Sequence, residues 1–597
     1  MNEIKMTTTI CHSVLEMPQR DPEAIALSYK VDGAWQELTW KQYYETIVTL
    51  ASGLLSHQVK PGDRVAIMAN TRVEWSVCDY AIMGIQAVTV PIYQTVTAED
   101  LQHILNNSEA KILFLENRNM LKLFLKVREA CPSVKQVICF DPVRESDPQV
   151  MGWPELLAFG AQEKAEQRSA FETLCKSSRP DQMATLVYTS GTSGIPKGVV
   201  LNHEQIISEI SEAFPFLGVT TEDVSLSFLP YAHVLGRIEH WGHVYVGFHM
   251  AYAESIEKIK YNLIDIRPTI LISVPRIFEK FYSGIYSQLG NSLLRKKLFQ
   301  WALGVGMQVG ELRLKRQSIP LELFAKYELA QRLVLHKVKD AFGGRLRFSM
   351  SGGAPISREI ALFFHACDVL ILEGYGLSET TAAVCANTPY NYQFGSVGRP
   401  IGDVKIKIAE DGEILLKSKK IMPEYYQAPD QTREAFTDGW FHTGDIGQVL
   451  ASGDLQITDR KKDLIKTAGG KYVAPQKLES LLKLSSFVSN VLIHGDQKKY
   501  IVALITLDQD YMQKFAKEEN IAYSDYASLT QNSVVLEMVR KSVAACNTHL
   551  AAYETIKRFA VIAKDFTVES GELTPSLKVK RKVLDQKYQR ELLALYS

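Results

Sequence analysis

Apolar and polar positions follow two different periods along the first half of this chain. In "LTWKQYYETIVTLASGLLSHQV" the apolar residues recur at helical spacing, and "RVAIMAN" then reads as a short buried strand. A helical stretch, "EWSVCDYAIMGIQA", leads to the strand "VTVPIY", and "EDLQHILNNSEA" leads to "KILFLEN". Helix and strand in alternation predict a parallel sheet with helices packed on its faces. The rhythm returns across 181–274, where "TILISVP" is another strand of the buried type. After Gly395 the pattern shifts to short strands separated by Gly and Asp, as in "DVKIKIAEDGEILLKS", which predicts an antiparallel barrel or hairpin set. From Lys462 a further mixed unit begins, with the helix "PQKLESLLKL" and the strands "VSNVLIHG" and "YIVALITL". The predicted class is α/β. A large domain over 1–461 combines mixed, mainly parallel sheets, flanking helices and a small β-barrel, and a small, mobile α+β domain follows over 462–597.

Length supports this division, because 597 residues exceed what one hydrophobic core organises. An apolar fraction of 46% and a charged fraction of 22% fit an ordinary globular protein. Lys plus Arg and Asp plus Glu are both 67, so no net charge draws the whole molecule to nucleic acid. The eight cysteines are scattered with no CxxC pair, which argues against a zinc or redox motif and for a reducing compartment. The start, "MNEIKMTTTICHSVLEMPQRD", lacks the basic and apolar runs of a secretory signal. No run of about 20 residues is apolar enough to span a bilayer. The expectation is a cytoplasmic protein.

One region complicates that expectation. A helical, basic stretch over 279–340 carries Arg295, Lys296, Lys297, Arg313, Lys315 and Arg316 beside Leu, Phe and Trp. It reads either as a surface hairpin with solvated charges or as a face that rests peripherally on anionic membrane.

The densest chemistry lies in "ATLVYTSGTSGIPKGVVLNH". A strand over 184–188 is followed by Thr189, Ser190, Gly191, Thr192, Ser193 and Gly194, then Pro196, Lys197 and Gly198. Glycines let main-chain N–H groups curl around an anion, hydroxyls add donors, and one lysine supplies a point charge. These parts suit polyphosphate. A Walker loop requires G-x-x-x-x-G-K-[ST], and here Gly198 follows Lys197 with no adjacent Ser or Thr, so that reading fails.

"YTSGTSGIPKGV" resembles the phosphate loop of the acyl-adenylate-forming superfamily, and further motifs of that superfamily follow in order. "MSGGAPIS" implies a backbone edge beside adenine at Gly353, Ala354 and Pro355. "LEGYGLSETTAA" supplies Glu373, Gly374, Tyr375 and Gly376, with Tyr375 as the adenine platform, Ser378 near the α-phosphate and Glu379 as the magnesium-binding carboxylate. "GWFHTGDIG" implies that Asp445 accepts from the ribose hydroxyls, since a carboxylate offers acceptors side by side. "TDRKKDLIKTAGGKYVAP" adds Arg460 at the ribose, a hinge at Lys462, Lys466 at the adenylate, and Gly469 and Gly470 beside the thiol's path. His233 in "PYAHVLGRIEHW" resembles the superfamily histidine near the acid, and Arg237 one turn on is a weaker candidate for gating or contacting substrate.

Near the end, "ELTPSLKVKRKVL" offers Lys578, Lys580 and Lys582. Matching Ser-x-Lys-x-x-Arg to Ser576, Lys578 and Arg581 selects Lys578 as the adenylating lysine, with Leu577 where the superfamily usually has glycine. "VPRIFEKFY" and the basic insertion are similar to the long-chain fatty acid branch. The resemblance therefore implies a ligase using ATP, Mg²⁺ and coenzyme A to convert a fatty acid to acyl-CoA through acyl-AMP. The alternatives are a ligase that stops at acyl-AMP and a CoA ligase for an aryl or shorter-chain acid. A non-enzymatic acyl-binding protein fits poorly, because every expected site residue is present.

Overall fold

The computed structural model describes residues 7–143, 147–162, 164–190, 195–289, 292–568, 570–574 and 578–597. Two large sheets dominate it. The first has seven strands in the order Val150–Gly152, Gln136–Cys139, Ile112–Leu115, Arg64–Met68, Val88–Ile92, Met183–Ser190 and Pro196–Asn202. All pairings are parallel except the last, an antiparallel hairpin. The strands Val88–Ile92 and Ile112–Leu115 are buried along their whole length, as expected of parallel strands covered by helices on both faces. Their continuous apolar runs are what made them legible.

The second sheet has nine strands, with a parallel centre built from Ile25–Val31, His249–Tyr252, Val224–Ser227, Ile270–Ser273, Phe348–Ser351 and Ile371–Leu377. Ala34–Thr39 at one end, and Ala382–Ala386 with Arg399–Pro400 at the other, add on antiparallel. The helix Val234–Val246 touches both sheets: Arg237 reaches the Thr185 hydroxyl in the first, and a His243 ring nitrogen bonds the Ala26 carbonyl in the second. It starts at His233, whose ring caps the first turn, and stops at Gly247, which takes the left-handed conformation with φ 92°.

The hairpin set expected after Gly395 is a five-stranded antiparallel sheet containing Lys405–Ile408, Glu413–Lys417, Trp440–Val449 and Leu455–Arg460. Further on, Val488–His494, Ile501–Leu507 and Ile556–Ile562 form a three-stranded mixed sheet flanked by helices. Buried apolar residues up to Leu455 belong to the large cores, and those from Ile465 onward form separate small ones. Leu484, from the later group, packs against the large core. The basic stretch is helical, with Leu293–Leu314 packed on Leu321–Ala330 and a π-helical turn at Gln331–Leu335. No helix among the described residues is long and apolar enough to cross a membrane.

Candidate active site

The hairpin Met183–Ser190/Pro196–Asn202 pairs Thr189 with Lys197 and brings the Ser190 backbone opposite Pro196. Gly191, Thr192, Ser193 and Gly194 lie outside the described residues. Lys197 extends its ammonium over the Tyr425 ring, 5.1 Å from its centre. The Tyr425 hydroxyl donates to Glu379 Oε1 at 2.8 Å, and the Glu379 carbonyl accepts from Met422 N at 2.7 Å. The hairpin expected to hold phosphate and the carboxylate expected to hold metal are thus gathered around one aromatic residue. Tyr425 carries no motif signal of its own in the sequence, and contact alone identifies it.

Glu379 and Ser378 sit on a 3-10 turn at the end of Ile371–Leu377. The chain then reverses sharply through Thr381 and Ala382, both left-handed at φ 57° and 95°. The reversal lays Ala382 so close to Gly376 that a Cβ on Gly376 would fall 1.2 Å from the Ala382 carbonyl oxygen, so no other residue fits there. Behind the turn, Ala383 N donates to buried Glu209, and the Thr381 hydroxyl donates to the Lys420 carbonyl. Lys420 in turn pairs with Glu209 and Glu212, both at 3.1 Å. Such strain persists only where its surroundings enforce it, and here the turn is backed by the buried Lys420–Glu209 pair with half-buried Glu212 beside it.

Tyr375, on the same strand, donates its hydroxyl to Asp445 Oδ2 at 2.6 Å. Asp445 faces Arg460 across the antiparallel pair, with Arg460 Nε 3.4 Å from Oδ1. Burial raises the Asp445 carboxyl above its ordinary value, against the pull of Arg460, the Tyr375 hydroxyl, Lys578 and Lys462. Gly353, Ala354 and Pro355 form an exposed loop after Phe348–Ser351, with Gly353 at φ 77°. Glu373 points into the protein instead. It is buried, accepts from Gly395 N at 3.4 Å, and is pushed up to about 7 by desolvation, so it props the loops and presents little to a ligand.

His233 lines a cavity of about 70 Å³ shared with Leu235, Met350, Gly374, Tyr375 and Ala383. Its Nδ1 accepts from Leu235 N at 3.1 Å, which fixes the tautomer and leaves Nε2 as the N–H donor. Burial, reinforced by Lys578, lowers the ring to about 4, so it is neutral at pH 7. Arg237 corrects its sequence reading. It is wholly buried between the Trp75 and Trp241 rings and forked onto Asp79 at 2.8 and 2.9 Å, and it does not line this cavity. A lone motif position one turn from a site residue gave no sign of Asp79, 158 positions upstream.

Lys578 lies next to an antiparallel bridge between Leu573 and Val579, and its backbone N–H donates to the Thr574 hydroxyl at 3.0 Å. Part of its side chain is open to solvent. Desolvation by the surrounding walls, with repulsion from Arg460 and Lys462 outweighing Asp445, nevertheless lowers its ammonium to about 8. Lys578 thus lies within electrostatic reach of His233, Asp445 and Arg460, although more than 100 positions separate it from each of them. Lys466, Gly469 and Gly470 are not in this group. They form the small hairpin Ile465–Lys466/Tyr472–Val473, whose backbone bonds run to Asp496 and Lys498 and whose Lys466 ammonium stands over Tyr472 at 5.5 Å.

The model of the AMP-binding enzyme family matches residues 15–426, and that of the AMP-binding enzyme C-terminal domain matches 462–597. This chain belongs to the AMP-binding enzyme family. A long-chain-fatty-acid–CoA ligase of Mycobacterium tuberculosis is 35% identical over 591 residues, covering 98% of this chain and 96% of that protein. Fatty acyl-CoA synthetase A of Dictyostelium discoideum is 31% identical over 596 residues, covering 95% and 87%. Among solved structures, the adenylation domain of a carboxylate reductase from Mycobacterium chelonae matches with a TM-score of 0.76 at 22% identity, over 100% of this chain and 92% of that one. That last likeness concerns the fold.

Proposed function

We propose that this chain is an ATP-dependent ligase that joins a long-chain fatty acid to coenzyme A through an acyl-AMP intermediate. The substrate class is supported by the names of relatives that are 30% identical or more over almost the whole chain. The observation that carries the chemistry is that Lys578 lies within electrostatic reach of His233, Asp445 and Arg460, with Asp445 and Arg460 paired across their strands. Two anions must meet there, a carboxylate and a triphosphate, and a cleft that concentrates cations offsets their repulsion.

In the first half-reaction a fatty-acid carboxylate oxygen attacks the α-phosphorus of ATP. The new O–P bond forms as the bond to the β-phosphate oxygen breaks, and pyrophosphate leaves with the electron pair. Lys578 stabilises the charge that grows on the phosphoryl oxygens, and Lys197 with the loop hydroxyls holds the departing phosphates. Tyr375 stacks adenine against the Gly353–Pro355 loop, Asp445 and Arg460 take the ribose, and neutral His233 offers Nε2–H to the acid. In the second half-reaction the thiol sulfur of coenzyme A attacks the acyl carbonyl and AMP leaves. We assign Lys462 as the hinge about which the 462–597 unit turns, carrying Lys578 away and bringing Lys466, Gly469 and Gly470 in.

A magnesium ion fits the residues present. The Glu379 carboxylate is half-buried, with Oε1 oriented by Tyr425 and Oε2 without a hydrogen bond among the described residues. No cluster of three or more metal-ligating side chains occurs among the described residues. One carboxylate plus substrate phosphates is the usual arrangement for this ion, which supplies positive charge to the phosphates when bound.

A peripheral membrane contact through the basic helices belongs to the same proposal. Leu293 and Leu294 are 76% and 78% exposed beside Arg295, Lys296 and Lys297, and Leu321 is 86% exposed. Apolar side chains ringed by lysine and arginine complement an anionic bilayer, where the acid would be dissolved.

The test measures pyrophosphate release and acyl-CoA formation across acids of about 6 to 20 carbons, a span chosen from the transfer energy per methylene. Acyl-CoA formation that rises with chain length is expected, and none from any acid overturns the proposal.

A further inference from the structure

Tyr425 makes three contacts for which the proposed reaction, on which this inference rests, gives no role. Its backbone bridges to Val199, and its neighbours continue the pairing: Val200 N donates to the Glu424 carbonyl at 3.1 Å and Tyr426 N to the Gly198 carbonyl at 2.7 Å. Residues 424–426 therefore lie along the Pro196–Asn202 strand as an added edge, and Met422, two positions earlier, is bonded to the Glu379 carbonyl at 2.7 Å. The side chain completes the arrangement. Its ring lies under the Lys197 ammonium, and its hydroxyl holds the Glu379 carboxylate. Lys197 and Glu379 carry opposite charges and face the same residue, yet they form no ion pair with each other among the described residues. An ion pair between them would neutralise both groups and align neither with phosphate or metal.

We propose that Tyr425 is a positioning residue that stands between Lys197 and Glu379, keeping the ammonium available for the nucleotide's phosphates and the carboxylate for its metal ion. The ring face attracts the cation weakly enough to release it to phosphate. The hydroxyl occupies one carboxylate oxygen and leaves the other without a hydrogen bond among the described residues.

Two substitutions separate the two roles. Tyr425→Phe keeps the ring and loses the hydroxyl, and Tyr425→Leu removes the spacer. Binding of a non-hydrolysable ATP analogue is measured by calorimetry across a magnesium titration, and acyl-CoA formation from supplied acyl-AMP is measured separately. Tyr425→Phe should raise the half-saturating magnesium concentration about 3-fold, and Tyr425→Leu should weaken binding of the magnesium–analogue complex about 10-fold or more. Both should retain the reaction from supplied acyl-AMP, which involves neither pyrophosphate nor metal. The proposal is overturned if Tyr425→Leu binds the complex as the unaltered protein does, if the two variants are equally weak, or if both lose the acyl-AMP reaction. The calorimetric result needs no turnover, so it stays readable even if no acid yields acyl-CoA.

Discussion

Two aspartates in this molecule each meet an arginine, and they end in opposite electrostatic states. Asp79 lies deep between the sheets, where Arg237 gives it two bonds, His240 a third at 3.1 Å and Trp241 a fourth at 3.3 Å. Against the desolvation of complete burial, Arg237 and His240 hold its carboxyl below the ordinary value. Asp445 is almost as buried but, among the described residues, its carboxylate receives only the Tyr375 hydroxyl and a longer contact from Arg460, and burial wins. A carboxylate whose acceptors are filled belongs to the architecture. One that stays under-supplied in a cleft is poised for donors from outside, and the vicinal hydroxyls of a ribose are such donors.

The comparison can be broken most forcefully at Asp79. Asp79→Ala strips a wholly buried guanidinium of its partner and should cost about 3–5 kcal/mol of stability by denaturant unfolding, with any surviving folded protein still binding ATP. Lys578→Ala should slow acyl-AMP formation by about 10²–10³, near 3–4 kcal/mol in the barrier, while acyl-CoA formation from supplied acyl-AMP persists. If acyl-AMP formation survives, Lys580 or Lys582 is the operative lysine. Asp445→Asn should weaken AMP binding by about 1.5–3 kcal/mol, and the unfolding midpoint of the ligand-free protein should hold or rise because an under-supplied buried charge is gone. A fall in that midpoint would place Asp445 with Asp79 on the structural side.

The two smallest effects concern pH and the membrane. The Lys578 ammonium, lowered to about 8, is mostly charged at pH 7 and is lost as pH rises through 8. The rate of acyl-AMP formation should therefore decline above about pH 8, and Lys578→Arg should abolish that decline even if the rate itself is lower. Replacing Leu293 and Leu294 with Glu should reduce sedimentation with anionic vesicles by about 1 kcal/mol per residue, leaving turnover of a dissolved short acid unchanged.

Most of the architecture was legible because its signals are local. Continuous β-branched runs marked the parallel strands, and the change of period after Gly395 marked the antiparallel sheet. The candidate site was legible where one motif holds several groups, as in the run from Glu373 to Glu379. It was illegible where partners meet only in three dimensions. Nothing near Arg237 points to Asp79, and nothing in "MPEYYQAP" ties Tyr425 to Lys197 and Glu379. Glu373 shows the converse: its motif is recognisable, but only burial reveals that it braces the loops.

The small cavity beside His233 would set a kinetic condition on an acid bound there, as the proposed function has it. At about 70 Å³ it falls well below the 300–1,000 Å³ of an ordinary small-molecule site, and its walls include Leu217, Leu235, Ile238 and Met350. An acyl chain bound against His233, as proposed, would have to wedge these side chains aside as it enters. Association should then be gated by the opening of the walls, making the on-rate slow and insensitive to acid concentration once opening limits it. Dissociation has to reverse the same displacement, so longer chains should show longer residence times. Discrimination among acids would then lie in how long each one remains bound.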